Sequence, residues 1–129
     1  MACQAESSEM NIEMPRGDIR DFPFVVKQKI NGEMVLYTGD FDDIYFTVKT
    51  NFTEKEYVFQ KRLSNGSIVK DQDSVYHVVI EPQDTNNLTF GKYVYDIELI
   101  NGSTVKQTTT GKLLLNYEST YAINEVSAL

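Results

Sequence analysis

The sequence of 129 residues holds one cysteine, Cys3, one histidine, His77, and no tryptophan. A single cysteine excludes a disulfide within the chain, and one cysteine with one histidine cannot form a Cys/His zinc site. Basic residues are outnumbered as well, because 12 Lys and Arg stand against 19 Asp and Glu, for a formal net charge of −7. Since an acidic protein repels phosphate groups, we predict that nucleic acid is not a partner.

Long apolar runs are also missing. No stretch approaches the roughly 18 consecutive apolar residues that span a bilayer, and residues 1–9 have neither the basic nor the apolar part of a secretory signal. We therefore predict no membrane partner and a flexible polar tail over residues 1–9. The length suits one domain, which we place at residues 10–120, followed by a C-terminal tail over residues 121–129.

Most of the chain instead alternates apolar and polar residues with a period of two, which is typical of strands. Pro23 predicts that the first of these strands begins at a sheet edge. The predicted inward-facing rows are Phe22, Phe24, Val26 and Ile30; Ile44, Phe46 and Val48; Tyr76, Val78 and Ile80; and Tyr93, Tyr95, Ile97 and Leu99. Rows of this kind indicate half-buried strands around one core.

Asn-Gly pairs mark the turns between these strands, at Asn31, Asn65 and Asn101. The pair favours the two-residue type I′ turn, whose central residues both need a positive φ. It therefore predicts three hairpins, and further strands are expected beside them. The hairpins are 22–30 with 34–38, 57–63 with 67–71, and 92–100 with 104–109; the other strands are 10–14, 43–49, 75–81 and 111–117.

About seven to ten short strands with regular turns predict an all-β fold, either a sandwich or a small barrel. Pro82 and the residues after it suggest one helical turn between the sheets. The stretch that follows has the form Leu-x-x-Gly-x-Tyr-x-Tyr, with Gly91, Tyr93 and Tyr95. Immunoglobulin-like sandwiches carry a tyrosine corner at this place. We assign Tyr93 to the corner and Tyr95 to the position of the second core cysteine, and predict an immunoglobulin-like antiparallel β-sandwich.

Three short patterns suggest chemistry, and each has a plainer interpretation. Arg16-Gly17-Asp18 could be an adhesion motif, although a turn before the next strand explains it equally simply. Asp40-Phe41-Asp42-Asp43 could hold calcium, but it lacks the glycine and the final glutamate of an EF-hand loop. His77 and Cys3 accompany no recognisable nucleophile motif. We therefore predict no catalytic residue, no metal and no cofactor.

Two other functions stay open at this point. Tyr37, Tyr45 and Tyr57 could form a platform on which sugars stack, or could be cross-strand pairs that stabilise the sheet. Among 19 acidic residues, a carboxylate pair in a pocket could make the protein a small hydrolase. A carbohydrate-binding or adhesion module is thus the alternative function.

Longer patterns make the chain resemble a known family over about residues 16–117. Arg16-Gly17-Asp18 precedes an aromatic strand, and Ile44-Tyr45-Phe46-Thr47-Val48-Lys49 follows. The most specific part is Pro82-x-Asp84-Thr85-x-x-Leu88-x-x-Gly91-x-Tyr93-x-Tyr95-Asp96-Ile97, and Gly111-Lys112-Leu113 ends the pattern. The chain resembles small phage and prophage structural proteins with an immunoglobulin-like domain, in particular the N-terminal domain of phage baseplate upper proteins.

This resemblance implies a non-enzymatic part of a virion. The expected partners are other phage structural proteins, with a homo-oligomer possible, and the expected location is the particle, after synthesis in the bacterial cytoplasm. Because the family's helices and head-group platform are not present in this sequence, a tail, neck or capsid-decorating accessory fits its length better than a baseplate bridge. The resemblance marks no partner-binding residue, so that surface stays unknown at this point.

Overall fold

In the part of the chain that the structure describes, ten strands of 3 to 13 residues follow the alternation of apolar and polar residues, and one helical turn interrupts it. The computed structural model describes residues 3–102 and 104–116, and the side chains of all of these except residues 104–107. The elements are β1 (Cys3–Glu6), β2 (Asn11–Pro15), β3 (Arg20–Ile30), β4 (Glu33–Leu36), β5 (Asp43–Lys49), β6 (Phe59–Arg62), β7 (Ile68–Lys70), β8 (Val75–Ile80), α1 (Pro82–Thr85), β9 (Gly91–Asn101) and β10 (Thr104–Asn116).

The strands form two five-stranded sheets. The first has the order β1-β3-β8-β7, with β4 paired to the end of β3, and the second has the order β2-β10-β9-β5-β6. All pairings are antiparallel except that of β2 with β10. This order corresponds to the ABED sheet and the GFCC′ sheet of immunoglobulin domains. The chain is therefore an all-β, immunoglobulin-like β-sandwich, as the sequence predicted.

The inward rows of the two sheets build one core. Buried side chains come from both sheets, because alternate residues of each strand point toward the opposite layer. Every residue of the four predicted rows is buried except Ile30. The largest fully buried side chains are Tyr76, Tyr95, Phe22, Phe24, Phe46, Ile12, Met14, Ile44, Ile68, Ile80, Ile97 and Leu99. Within the described residues, no helix is long and apolar enough to cross a bilayer.

The Asn-Gly turns close two of the three predicted hairpins. Asn31 has φ 51° and Gly32 has φ 83°, as a type I′ turn requires, and the turn at Asn101 joins β9 to β10. The prediction is wrong at Asn65, because β6 pairs with β5 in one sheet and β7 pairs with β8 in the other. The chain crosses between layers there. The strands predicted at 104–109 and 111–117 are one strand as far as Asn116, and residue 117 lies outside the described residues.

The flexible tail predicted over residues 1–9 is also wrong for Cys3–Glu6. These residues form β1, which pairs with β3. In this pairing Cys3 lies opposite Gln28, and Glu6 lies opposite Val25. Cys3 and Ala5 are buried with exposures of 0% and 1%. Two small apolar side chains at alternate positions suffice to dock a short edge strand, a signal that the polar residues around them masked. The tail predicted over residues 121–129 lies outside the described residues.

Candidate protein-interaction surface

The residues assigned to the tyrosine corner meet at the start of β9. The Tyr93 hydroxyl donates a hydrogen bond to the Thr89 carbonyl at 2.8 Å and lies 3.1 Å from the Thr89 hydroxyl. A bond back to the backbone a few residues upstream is what defines the corner. Gly91 lies between them with a φ of 134°, a backbone conformation that residues other than glycine rarely adopt. The corner fixes the path of the chain into β9.

Tyr95, the residue predicted at the position of the second core cysteine, lies between the two sheets. Its ring stacks on Phe46 of β5 at 4.8 Å and meets the Phe22 ring of β3 edge-on at 5.7 Å, so aromatic contacts link the two sheets. Its hydroxyl donates a hydrogen bond to the Met10 carbonyl. A Cβ at Gly111 would come within 2.4 Å of the Tyr95 ring and 2.5 Å of that carbonyl. Gly111 therefore leaves the room that this tyrosine needs.

The short helix and the loop after it are bound to the turn that follows β2. Arg16 donates a hydrogen bond through Nη1 to the Leu88 carbonyl at 3.1 Å, and its guanidinium lies 4.1 Å from the centre of the Phe90 ring. The Gly17 amide donates to the Thr85 hydroxyl at 2.8 Å, and Thr85 is fully buried. The first two residues of the suspected adhesion motif therefore hold the turn after β2 against the helix.

A mostly buried ion pair completes this end of the molecule. Lys61 of β6 approaches Asp84 of α1 at 2.6 Å, with side-chain exposures of 10% and 14%. The Glu81 amide also donates to the Asp84 carboxylate, at 2.7 Å. Removing either Lys61 or Asp84 would destabilise the fold, because the charge that remains would be mostly buried and unpaired. We call residues 82–93, which comprise α1 and the loop to Tyr93 and include the tyrosine corner, the corner.

The acidic cluster before β5 is used within the fold. Asp40 pairs with Lys70 at 2.9 Å. Asp42 accepts a hydrogen bond from the Gly102 amide, and Asp43 accepts from the amide and hydroxyl of Ser64. Burial alone would raise the pKa of Asp43, but the hydrogen bonds from Ser64 and from the Ile44 amide together outweigh it and lower the pKa below its ordinary value. No group of three His, Cys, Asp or Glu side chains suited to a metal ion occurs among the described residues.

One carboxyl group lies in the middle of the outer face of the second sheet. Burial raises the pKa of Asp96 to about 6, repulsion by Glu98 adds to this, and Lys49 opposes it. Asp96 Oδ1 is buried without a hydrogen-bond partner among the described residues. Thr47 lies beside Asp96, and its hydroxyl accepts a hydrogen bond from the Gln60 side chain at 2.9 Å. These groups lie on an open sheet face, whereas a hydrolase would hold its carboxylate pair in a concave pocket.

The three tyrosines considered for sugar stacking lie on different elements. Tyr37 follows β4 and packs on the Phe41 ring at 5.4 Å. Tyr45 lies on β5 beneath the Arg62 guanidinium, which is 4.6 Å from its ring centre. Tyr57 lies in the loop between β5 and β6 and is 54% exposed. Two of the three rings are thus covered by other side chains of this chain.

His77 lies on the outer face of the first sheet between two carboxylates. Its Nε2 is 2.9 Å from Asp71, and its Nδ1 is 3.1 Å from Asp21. The hydrogen bond to Asp71 and then that to Asp21 raise the pKa of His77, while the same histidine lowers the pKa of Asp71. His77 therefore joins β3, β8 and the turn before β8 with a strength that depends on pH.

The sequence predicted the β3–β4 hairpin but not the exposure of its end, residues 27–36, which we call the arm. β3 continues past the last buried residue of its row, Val26, and β4 pairs with this extension. Four apolar side chains of the arm are exposed: Ile30 at 46%, Met34 at 41%, Val35 at 42% and Leu36 at 43%. The inward position predicted for Ile30 is therefore wrong, because no layer faces the arm at that point.

Both faces of the arm carry apolar groups. Residues opposite each other in an antiparallel pair point to the same side. Met34 is opposite Lys29 and Leu36 is opposite Lys27, so these two apolar side chains lie on the outer face between lysine stems. Val35 is opposite Gln28 and lies on the other face. A large apolar group that faces water on a short edge strand is typical of binding surfaces.

No family profile and no curated protein matches the chain. Solved structures do. A chain of the crystal structure of Dpr1 IG1 bound to DIP-eta IG1 is 13% identical, with 88% of this chain and 95% of that chain covered and a TM-score of 0.44. A chain of the RIG-5 IG1 homodimer is 14% identical, with 90% and 99% covered and a TM-score of 0.46.

Proposed function

We propose that this domain is a non-enzymatic protein-binding module and a structural part of a bacteriophage or prophage particle. The observation that carries the binding function is the arm, with four apolar side chains exposed beyond the end of the core. The resemblance of the sequence to phage structural domains supports the particle. The unpaired edge of β4 supports protein as the ligand, because a strand of another protein can extend a sheet at such an edge.

The distribution of polar groups favours binding over catalysis. Asp40, Asp42, Asp43 and Asp84 are each bound to other groups of the fold. Asp96 has a perturbed pKa but no nucleophile or base oriented against it among the described contacts, and an active site needs such an arrangement. A rigid sandwich with an apolar arm needs no chemistry to fulfil a structural role.

The first experiment is mass spectrometry of particles purified after induction of the prophages in the host. We expect this chain in stoichiometric amounts with tail or capsid proteins. Particles that assemble fully without it would contradict the virion role.

Two variants then test whether the arm makes the contact. Leu36→Lys puts a charge on the arm, and Val69→Lys puts the same charge on β7, another exposed edge strand. We expect the first variant to be depleted from particles at least tenfold and the second to be retained. Equal retention of both would show that the module binds through another surface.

A further inference from the structure

We infer that the free edge of β4 pairs with β4 of a second copy of this chain, antiparallel, about a two-fold axis that passes beside Val35. This inference deepens the proposed function by naming the partner of the arm, and it rests on the arm as the binding surface. It follows from the direction of the backbone groups, the side chains they would bring together and the local charge.

Backbone direction comes from the two-residue turn. In such a hairpin the residues that flank the turn, Ile30 and Glu33, exchange both backbone hydrogen bonds, and the pairs alternate from there. Glu33 and Val35 therefore direct their amide and carbonyl groups toward β3. Met34 and Leu36 direct theirs away from β3, toward the free edge.

The residue after β4 agrees with this alternation. The Tyr37 amide donates a hydrogen bond to the Val26 carbonyl of β3 at 2.8 Å. Within the described residues, β4 pairs with no strand other than β3. The free edge thus offers two donors and two acceptors, from Met34 and Leu36.

A two-fold axis beside Val35 uses all four groups. It places Met34 of one copy opposite Leu36 of the other, so that these two residues exchange two backbone hydrogen bonds. The two-fold symmetry repeats the pair on the other side of the axis. Opposite residues share a face, so two Met–Leu pairs form on one side and a Val–Val pair on the other. Every exposed apolar side chain of β4 then lies against another apolar side chain.

Local charge permits this contact although the whole chain is acidic. The arm holds Lys27 and Lys29 against Glu33, and Lys27 also pairs with Glu6 of β1 at 3.4 Å, so this part of a protein of net charge −7 is close to neutral. The one acidic residue of β4, Glu33, lies at the end of that strand, two residues from the axis beside Val35. The remaining repulsion acts between the bodies of the two copies over a distance that salt screens. We therefore expect the dimer to become tighter when salt is added.

The size of the contact sets its strength. Stable complexes bury roughly 1,200–2,000 Å² in total, and two four-residue strands with their hairpin partners bury less. The pair should therefore be weak and depend on concentration in solution. Neighbouring copies held in an assembly would still form it, because their effective concentration is high.

Sedimentation velocity between about 10 μM and about 1 mM tests the association. We expect the average mass of the full chain to rise from 14.8 kDa toward twice that value. Val35→Lys should weaken association at least tenfold, because the two-fold axis brings the two introduced charges together. Val69→Lys, with the same change on β7, should leave it unaltered. A wild-type chain that stays monomeric, or equal effects of the two variants, would overturn the inference.

Cysteine variants test the register and do not depend on a charge. In the proposed pair Val35 meets its own copy at a position without mutual hydrogen bonds, where the Cα atoms are about 4.5 Å apart, a separation that a disulfide can bridge. V35C should therefore form a disulfide dimer with oxidised glutathione, whereas M34C and V69C should form at least tenfold less. Equal cross-linking of V35C and M34C would contradict this register.

The outcome separates this inference from the proposed function. A monomeric chain that still loses its place in particles through Leu36→Lys would show that the arm binds a strand of a different protein. The inference would then be wrong, and the proposed function would stand. Retention of that variant in particles would contradict the proposed use of the arm itself.

Discussion

The two ends of the sandwich differ in how their side chains are paired. At the end that holds the short helix, polar side chains from four parts of the chain are joined by hydrogen bonds and an ion pair. At the opposite end, the arm extends beyond the core, and its apolar side chains are exposed to water. The polar groups of the corner are paired within the chain: Arg16 and Lys61 bind to it from other elements, and Tyr93 bonds back to Thr89 inside it. The arm has apolar groups that only another molecule could cover. This difference indicates that the corner stabilises the fold and that the arm binds partners.

The largest contrast should come from two lysines, one at each end. Lys61→Met leaves Asp84 charged and mostly buried, so we expect the free energy of unfolding to fall by about 3 kcal/mol. Lys29→Met, on the exposed arm, should change it by less than about 0.5 kcal/mol. Urea unfolding at low protein concentration measures both values. Similar losses would show that the corner is not the more tightly linked end.

A smaller effect is expected at the tyrosine corner. Tyr93→Phe removes the donor to the Thr89 carbonyl and should cost about 1 kcal/mol. The matched control is Tyr57→Phe, which deletes the same hydroxyl from a ring that is 54% exposed and should have almost no effect. Thermal unfolding compares the two variants. A neutral Tyr93→Phe would mean that the hydroxyl bond does not stabilise the start of β9.

These two predictions show which parts could be foreseen. Tyr93 and the strands follow from local patterns, because alternation and Asn-Gly turns involve neighbouring residues. The buried position of Lys61 depends on Asp84, which is 23 residues away, and only its place in the row with Phe59 hinted at it. Interactions of this kind depend on the assembled layers.

The hairpin that forms the arm was predicted, but its exposure was missed for a related physical reason. Alternation predicts a strand but does not reveal whether another layer faces it, so Val26 is buried and Ile30 is exposed within one row. The sheet switch at Asn65 was hidden in the same way, because an Asn-Gly pair fixes a turn and leaves the pairing of the next strand open. A run of three apolar residues, Met34 to Leu36, was the available signal for the arm.

Stability should also change with pH through the first sheet. The folded pKa of His77 is raised, so its pairing with Asp71 stabilises the protein fully below about pH 6.5 and is lost as the pH rises through the folded pKa. Asp96 changes stability in the same direction over a lower pH range. Its pKa is raised from 3.8 to about 6 in the folded state, so stability is lost between these two values and stays constant above them. We expect the Tm to fall from about pH 4.5 to about pH 8, through Asp96 in the lower part of this range and through His77 in the upper part.

Two variants assign this pH dependence. His77→Gln should lower the Tm mainly at the acidic end of the range, and Asp96→Asn should raise it by an amount that grows up to about pH 6 and is constant above that. Each should flatten the profile. A wild-type Tm that is constant or rises over this range would contradict both assignments.

The smallest effect on stability is expected at the arm. Leu36→Lys removes a side chain that is 43% exposed and should change the free energy of unfolding by less than about 0.5 kcal/mol. Urea unfolding checks this value. A large loss would mean that the arm supports the fold, which would remove the contrast with the corner.

The central claim is that the arm binds while the corner stabilises, and competition in one cell tests it most directly. Wild type and Leu36→Lys are expressed in equal amounts, and their ratio in purified particles is measured by mass spectrometry. We predict an excess of wild type of at least tenfold, because the variant folds normally and lacks an apolar binding surface. A ratio of one in particles that contain the chain would contradict the claim.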